Sequence, residues 1–361
     1  MKAAVMSLGS KSSLLTIEAM KKYFDSVENI NLKQLDVRLG DNELEVLYNG
    51  RQLDKFNCIY AKGSFRFAPL LRSVTTAFYE KCYLPIKPNA FTMGHDKLLT
   101  HLALQYYKIP MPDTYVVSSI GAARNILGQM KYPIVLKFPH GTQGKGVMMA
   151  DSFGSASSMM DALESLRVPF LIQEYIETEG VDLRAFVIGD KVVAAVKRTA
   201  IKGEKRANIH AGATGEPMNL DAATKRIAVM TSKSIGAEIC AVDMLESATG
   251  PMVIEANVSP GLQGITRITG INIADKIAEF LFAKSKEFRE QTGDEEAEKM
   301  FSSLGIKHTD KETHAQQIIT NIDFRGDRIL LPKIISSLAK LQEHDEVVIK
   351  AEKGSIKIER M

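Results

Sequence analysis

From its first residues the chain alternates short apolar runs with amphipathic stretches. Ala3–Ser7 reads as a strand, Gly9-Ser10 as a loop, and Leu14–Phe24 as a helix with one apolar face. Ile30–Val37, Leu44–Tyr48 and Cys58–Ala61 follow as strand candidates, with Tyr48-Asn49-Gly50-Arg51 a turn. This alternation predicts an open α/β sheet with largely parallel strands over residues 1–95. His95-Asp96-Lys97-Leu98-Leu99 then begins a helix capped by Asp96, and Pro110 and Pro112 break the chain before a new unit. Ile134–Asp151 predicts two strands about a glycine-rich tip. Leu171–Ile176 and Val192–Arg198 predict further strands, and Ile271–Phe282 a closing helix. Residues 286–313 turn polar and charged, which predicts a solvated helix or linker.

One stretch departs from the apolar rhythm. Ala241–Ile265 holds two β-branched runs joined at Thr249-Gly250-Pro251, a hairpin signal, yet Asp243 interrupts the first run and Glu255 and Asn257 the second. Residues two apart in a strand share a face, so Glu255 and Asn257 project together, and a hairpin partner places Asp243 beside them. Three oxygen-bearing side chains on one face are costly to bury unless something positive neutralises them. Hard oxygen donors of this kind suit Mg²⁺, which takes one or two carboxylates and fills its other positions with water and phosphates. The alternative, a solvated face of a two-stranded ribbon, would account for a single acid more readily than for the whole set.

A second stretch, Gly141-Thr142-Gln143-Gly144-Lys145-Gly146, is flanked by strands and reads as a hairpin tip. No G-x-x-x-x-G-K-[ST] pattern can be laid over it, so it is not a P-loop. A glycine-rich hairpin can instead close over phosphates with its backbone N–H groups. Lys137, inside the preceding apolar strand, needs an anionic partner, and a phosphate is one. Lys62-Gly63-Ser64-Phe65-Arg66 follows a strand of the first sheet, where open α/β sheets bind ligands, and is a candidate contact for a substrate. The loop Gly9-Ser10-Lys11-Ser12-Ser13 opens a helix and could hold an anion, but capping by Ser12 or Ser13 explains it more simply.

Composition narrows the class. At 361 residues the chain has room for two or three domains, and its 45% hydrophobic and 25% charged content is that of a soluble globular protein. The formal net charge of +3 makes no case for a nucleic-acid partner. Cys58, Cys82 and Cys240 are scattered, with no disulfide framework or zinc spacing, which fits a reducing cytoplasm. MKAAVMSLG reads as a first strand rather than a secretory signal, and no apolar run reaches membrane-spanning length. A cytoplasmic protein without a membrane partner is expected.

The segment E-x-N-x-S-P-G after a strand carrying an Asp resembles the metal-binding end of the ATP-grasp ligases. In detail it is similar to the RimK-type enzymes, which attach glutamate or a related amino acid through an amide bond. The resemblance spans roughly Asp96 to Phe282, with four motifs in the expected order, and implies an α+β ATP-grasp core over residues 96–285 with a lid lobe at about 112–176. It assigns Lys97 to the nucleotide phosphates, Lys137 to the α-phosphate, and Gly141, Gly144 and Gly146 to the hairpin over them. It places adenine at Glu174, Tyr175 and Ile176, and ribose at Asp182, although Asp182 and Arg184 would otherwise read as the polar outer face of a strand. Arg206-Ala207-Asn208-Ile209-His210 matches the family's R-x-N-[LI]-H segment. Arg206 thereby falls to the γ-phosphate or acyl phosphate, and Ala207 and Asn208 to the nucleotide end. Arg206 and Lys137 become the catalytic pair, and Asp243, Glu255 and Asn257 the ligands of Mg²⁺ or Mn²⁺. His210 reads as a hydrogen-bonding residue more readily than as a general base. Where the family's glutamate ligases carry Arg-Gly-Gly, this chain has Ala211-Gly212-Ala213, a departure that bears on which acceptor is bound.

Residues 314–361 resemble a different family, the AbrB/MazE swapped-hairpin domain. The resemblance rests on Gly326-Asp327-Arg328-Ile329-Leu330-Leu331-Pro332, on Asp345-Glu346 and on two terminal strands about Lys353-Gly354; the family's usual G-D-E is here His344-Asp345-Glu346. In that fold two chains interlock, because so small a unit has too little core alone. Eight Lys and Arg against seven Asp and Glu are a poor balance for neutralising phosphates, so the module reads as an oligomerisation device, giving a dimer or tetramer.

Together the resemblances imply a carboxylate–amine ligase working through an acyl phosphate. ATP and a divalent cation would be its cofactors, L-glutamate the added amino acid, and a protein terminus, carrier protein or glutamyl-bearing coenzyme the acceptor. Two readings from other classes stand beside it: an ATP-sensing regulator that binds DNA through residues 314–361, and a scaffold with a decayed core. The intact Asp243, Glu255 and Asn257 argue against the second.

Overall fold

The computed structural model describes residues 1–40, 44–117, 119–141, 146–165, 169–200 and 214–303, together with four strands nearer the C-terminus. Gly144, Arg206, Ala207, Asn208 and His210 lie outside the described residues. The chain divides into two units, Met1–Asp294 and Glu295–Met361.

The N-terminal sheet is built on β1 (Lys2–Ser7), which pairs in parallel with β2 (Ser26–Asn31) on one side and with β6 (Cys58–Ala61) on the other. Ala3–Met6 are buried on both faces, as an inner parallel strand requires. Helix α1 (Lys11–Met20) starts earlier than its apolar pattern suggests, and its cap is therefore Ser10, whose hydroxyl accepts from the Ser13 N–H. Ser12 instead ties α1 to a distant segment. Its hydroxyl donates to Gln263 and accepts from the Leu262 N–H, both at 2.9 Å. The single strand expected over Ile30–Val37 is broken by a 3₁₀ turn at Leu32–Gln34, capped by the Asn31 side chain accepting from Lys33 N. Beyond the break, β3 (Leu35–Arg38), β4 (Glu45–Tyr48) and β5 (Arg51–Gln52) form a separate antiparallel ribbon. Asn49 and Gly50 turn β4 into β5, both at positive φ as a tight hairpin demands. Helices α2 (Ala68–Phe78), α3 (Pro88–Met93) and α4 (Lys97–Tyr106) follow, the last capped by Asp96 as expected.

The next lobe holds β7 (Thr114–Val116), α5 (Ile120–Leu127), β8 (Ile134–Lys137), β9 (Val147–Ala150), α6 (Phe153–Ser165) and β10 (Leu171–Glu174). Its strands run antiparallel in the order β7-β10-β8-β9. The lobe has a core of its own, in which Leu127, Ile134, Leu136, Met160 and Ile172 are shut off from solvent.

The third sheet joins β11 (Val181–Ile188), β12 (Lys191–Thr199), β13 (Thr214–Pro217), β14 (Ile239–Ser247) and β15 (Gly250–Asn257) in the order β13-β12-β11-β14-β15, all antiparallel. Gly189 turns β11 into β12 at φ +62°, and a Cβ there would meet Phe280 at 2.7 Å, so glycine is required on both counts. Helices α7 (Ala222–Ser234), α8 (Gln263–Thr269) and α9 (Ile273–Ser303) complete the elements of this part of the chain. This sheet and the N-terminal sheet share one continuous core that includes Tyr60, Phe91, Phe186 and Ile239. The turn between β14 and β15 falls one step earlier than expected, leaving Pro251 inside β15 opposite Glu246. An edge strand tolerates proline, whose missing N–H faces away from the ladder. Helix α9 runs to Ser303, so the charged segment opens as helix rather than as bare linker.

In the second unit, β16 (Asp323–Arg325) pairs with β17 (Arg328–Leu330), and β18 (Val347–Glu352) with β19 (Ser355–Arg360), each pair antiparallel. Among the described residues no helix is long and apolar enough to cross a membrane.

Candidate active site

Register places the polar residues of β14 and β15 together. Asp243 lies directly across from Glu255 and Ala241 across from Asn257, and a bulge after Asp243 skips Ile254 to keep that pairing. All three side chains line one cavity of about 1240 Å³ in the first unit. Its walls also include the β8–β9 hairpin, the segment after β10, and the C-terminal ends of β1 and β6. Lys97, Lys137, Gly141, Glu174, Tyr175, Ile176 and Asp182 line this same cavity.

Asp243 is already neutralised within the protein. Arg184, its partner across β11 and β14, donates to both carboxylate oxygens at 2.7 and 2.6 Å, and Arg198 approaches at 3.2 Å. Burial works to raise Asp243, but the two guanidinium groups outweigh it and hold the carboxyl below its ordinary range. Arg198 also engages Asp182, its neighbour across β11 and β12, through Nε and through Nη2 at 2.7 Å. Asp182 and Arg184 are therefore not a solvated strand face: with Asp243 and Arg198 they form a network of two acids and two arginines in the cavity wall, in which only Arg184 is partly exposed. Glu255, by contrast, has no hydrogen bond or ion pair among the described residues. Asn257 accepts from the Ser259 N–H at 3.0 Å and has a second lone pair to offer.

Lys137 is buried. Burial lowers its ammonium to about 8 against the pull of Glu255, and its hydrogen-bond partner is the neutral Gln173 Oε1 at 2.5 Å. Lys97 holds the base of the glycine hairpin, its Nζ donating to the Gly141 carbonyl at 3.1 Å and its N–H to the Pro139 carbonyl at 2.9 Å. Gly146 has a reason of its own: at φ +79° a Cβ would meet Phe138 at 2.4 Å, while its carbonyl accepts from the Phe138 N–H and closes the loop.

These groups fit a nucleotide and a hard cation. A buried ammonium without a carboxylate partner calls for an anion, and Glu255 beside Asn257 offers the oxygen donors that Mg²⁺ prefers. Among the described residues no three His, Cys, Asp or Glu side chains group as a metal site, so such a cation would rest on two carboxylates and an amide. The arginines compete with a cation for Asp243, a competition that phosphate in the cavity would relieve. Sequence reasoning passed over Arg198, Gln173 and His101. Arg198 read as the end of a strand, and the other two become meaningful only when β10 and α4 are placed beside β8.

Comparison with known proteins agrees with this architecture. Residues 94–281 match the RimK-like ATP-grasp domain. A probable alpha-L-glutamate ligase of Thioalkalivibrio sulfidiphilus is 33% identical over 297 residues, 81% of this chain and 99% of its own length. One from Legionella pneumophila is 42% identical over 199 residues, 55% of this chain and 66% of its own. Among solved structures, the ATP-grasp ligase PsnB, in a complex with minimal precursor, Mg and ADP, superposes with a TM-score of 0.62 at 17% identity, covering 79% of this chain and 98% of that one. A RimK domain ATP-grasp protein from Sphaerobacter thermophilus gives 0.61 at 20%, covering 78% and 99%. The fold and its relatives define an ATP-grasp ligase. More narrowly, the chain belongs to the RimK-like ATP-grasp family.

Proposed function

We propose that the protein joins a carboxylate to the amine of L-glutamate at the expense of ATP. The observation that carries this reading is the meeting of Lys137 with Asp243, Glu255 and Asn257 across one cavity. ATP occupies the space between the β8–β9 hairpin and the β14–β15 face, its adenine against Glu174, Tyr175 and Ile176 and its ribose near Asp182. Lys97 and Lys137 offset charge on the phosphates, and Gly141, Gly144 and Gly146 close over them. Arg206 completes that charge compensation, with Ala207 and Asn208 at the nucleotide end. Glu255 and Asn257, joined by Asp243, would hold Mg²⁺ or Mn²⁺, which when bound neutralises charge developing on the transferred phosphoryl group. A substrate carboxylate takes the γ-phosphoryl group as an acyl phosphate, and the amine then displaces phosphate. The chain's part is positioning and the exclusion of water that would hydrolyse the acyl phosphate.

The acceptor is a protein or peptide terminus, a carrier protein or a glutamyl-bearing coenzyme; the names of the relatives support glutamate as the added amino acid, and the complex of PsnB with a precursor peptide supports an acceptor of the peptide class. By the same reading residues 1–95 form a leading α/β domain, 96–285 the catalytic core and 286–313 a connector. Residues 314–361 form a swapped-hairpin module that makes the protein a cytoplasmic oligomer. The two antiparallel strand pairs of that segment support the module. The decisive experiment measures Mg²⁺-dependent ADP release with L-glutamate and candidate acceptors, with Glu255→Ala as the blank. A glutamylated product by mass, absent from the variant while its melting temperature stays within a few degrees, is the expected result. Undiminished ADP release by Glu255→Ala would remove the metal assignment.

A further inference from the structure

Just past the C-terminal end of β6, the cavity wall holds a second buried lysine that the nucleotide reading does not use. Lys62 is 4% exposed. Its Nζ donates to the Pro260 carbonyl at 3.3 Å and stands 5.6 Å from the centre of the Tyr60 ring. Among the described residues no carboxylate lies within ion-pairing distance. An ammonium removed from water loses several kcal/mol of solvation, which one carbonyl and a ring face recover only in part. Beside it, Ser64 has no side-chain hydrogen bond among the described residues. His95 leaves its buried Nε2 with no partner among the described residues. The Gly63 backbone beside the ring raises the His95 pKa, as a carbonyl facing Nδ1–H would, an arrangement that puts the proton on Nδ1. Burial wins overall and lowers His95 to about 4, so the ring is neutral at neutral pH and, with the proton on Nδ1, Nε2 offers a lone pair. Lys62, Ser64 and His95 all line the cavity.

We propose that Lys62, Ser64 and His95 form the seat of the amine-bearing substrate, with a carboxylate on the Lys62 ammonium and Ser64 hydroxyl and the amino group on His95 Nε2. The proposal rests on the ligase reading and names the subsite within it. A cation and a lone pair side by side complement a zwitterion. A phosphate, which offers acceptors almost alone, would satisfy Lys62 and face the His95 lone pair with another. The seat is fixed to the phosphate end by a short turn. Asn257 accepts from the Ser259 N–H, the Ser259 hydroxyl accepts from the Gly63 N–H at 3.0 Å, and Pro260 accepts from Lys62.

The test is calorimetric titration of the full-length protein with L-glutamate, with glutarate (no amine) and with the diamide of glutamate (no free carboxylate), with and without Mg²⁺ and a non-hydrolysable ATP analogue. Wild type should bind L-glutamate at least tenfold more tightly than either analogue. Lys62→Met should weaken L-glutamate at least tenfold while affinity for the nucleotide analogue stays within twofold. His95→Leu should bring L-glutamate and glutarate within threefold of one another. Unchanged glutamate affinity in Lys62→Met overturns the proposal, as does wild type that binds the nucleotide analogue but not glutamate. Should Lys62→Met fail to fold, the wild-type series decides, and equal binding of glutamate and its diamide rejects the seat. Loss of nucleotide binding in wild type would instead remove the ligase reading. Titration without nucleotide then still judges the seat, and no glutamate binding there overturns it.

Discussion

Gln173 turns its carbonyl oxygen to Lys137 Nζ at 2.5 Å because its amide nitrogen is already committed elsewhere. That nitrogen donates to Thr114 Oγ1 at 2.7 Å and to His101 Nε2 at 3.0 Å. The histidine can accept there because its Nδ1 donates to the Lys97 carbonyl at 2.6 Å. A chain of neutral groups therefore fixes which end of one amide faces the buried ammonium. Gln173→Leu should cost about 1–3 kcal/mol of stability, the penalty for orphaned buried polar groups. It should also raise KM for ATP roughly tenfold, about 1.4 kcal/mol of binding, through loss of Lys137 alignment. Melting curves and steady-state ADP release check both; an unchanged KM would remove Gln173 from the positioning of Lys137.

The same chain gives the protein an acid weakness. Burial lowers His101 to about 4 from an ordinary 6.5, and the charges of Lys137 and Lys97 add to the effect. Between those values the unfolded chain holds more protons than the folded one, so stability fully present above pH 6.5 is lost as pH falls toward 4. The shift corresponds to about 3 kcal/mol at the acid end. His95 loses stability over the same window, so the informative quantity is the difference between proteins. His101→Gln, which cannot titrate, should show a shallower decline of melting temperature from pH 7 to 4.5 than wild type. Parallel curves would show that His101 does not carry the slope.

Arg198 stands between two acids, Asp182 and Asp243, both buried. Removing it leaves Asp182 without its guanidinium partner and Asp243 with Arg184 alone. Arg198→Met should destabilise the protein by about 3–5 kcal/mol, the range for a broken buried ion pair. Adding Asp182→Asn to that variant should restore part of the loss. Urea denaturation of the single and double variants checks the coupling, and strict additivity would mean that the two residues do not act as a pair.

Truncation after Lys311 should lower the number of chains per particle while leaving Mg²⁺-dependent ADP release intact. Multi-angle light scattering decides it. An unchanged number of chains would reject the swapped-hairpin module as the oligomerisation device.

Legibility in the sequence followed the range of the interaction. Polar side chains inside apolar strands marked Asp243, Glu255 and Asn257, and the strand period alone put the last two on one face. Asp96 as a helix cap and Asn49-Gly50 as a hairpin turn were equally local and equally readable. Arg184 and Asp243 are 59 residues apart, and so are Gln173 and Thr114; no periodicity announces such partners. The break of Ile30–Val37 was hidden for a different reason. The apolar positions Ile30, Leu32, Leu35 and Val37 suggested one strand and outweighed the Asn31 cap, which acts on a single turn. For Lys97 the residue alone offered only a surface charge, and it was family resemblance that pointed to the phosphates; the structure shows its Nζ donating to the Gly141 carbonyl.

The hairpin lobe between Thr114 and Glu174 buries its own leucines and isoleucines apart from the core that joins the other two sheets. A solid piece of that kind can swing without melting, because no shared apolar interior has to be pulled open when it moves. The resistance is concentrated instead in a few polar fastenings, among them Lys97 on Gly141 and His101 on Gln173. Movement of the lobe would then be a matter of undoing latches, each open to change by a single polar substitution.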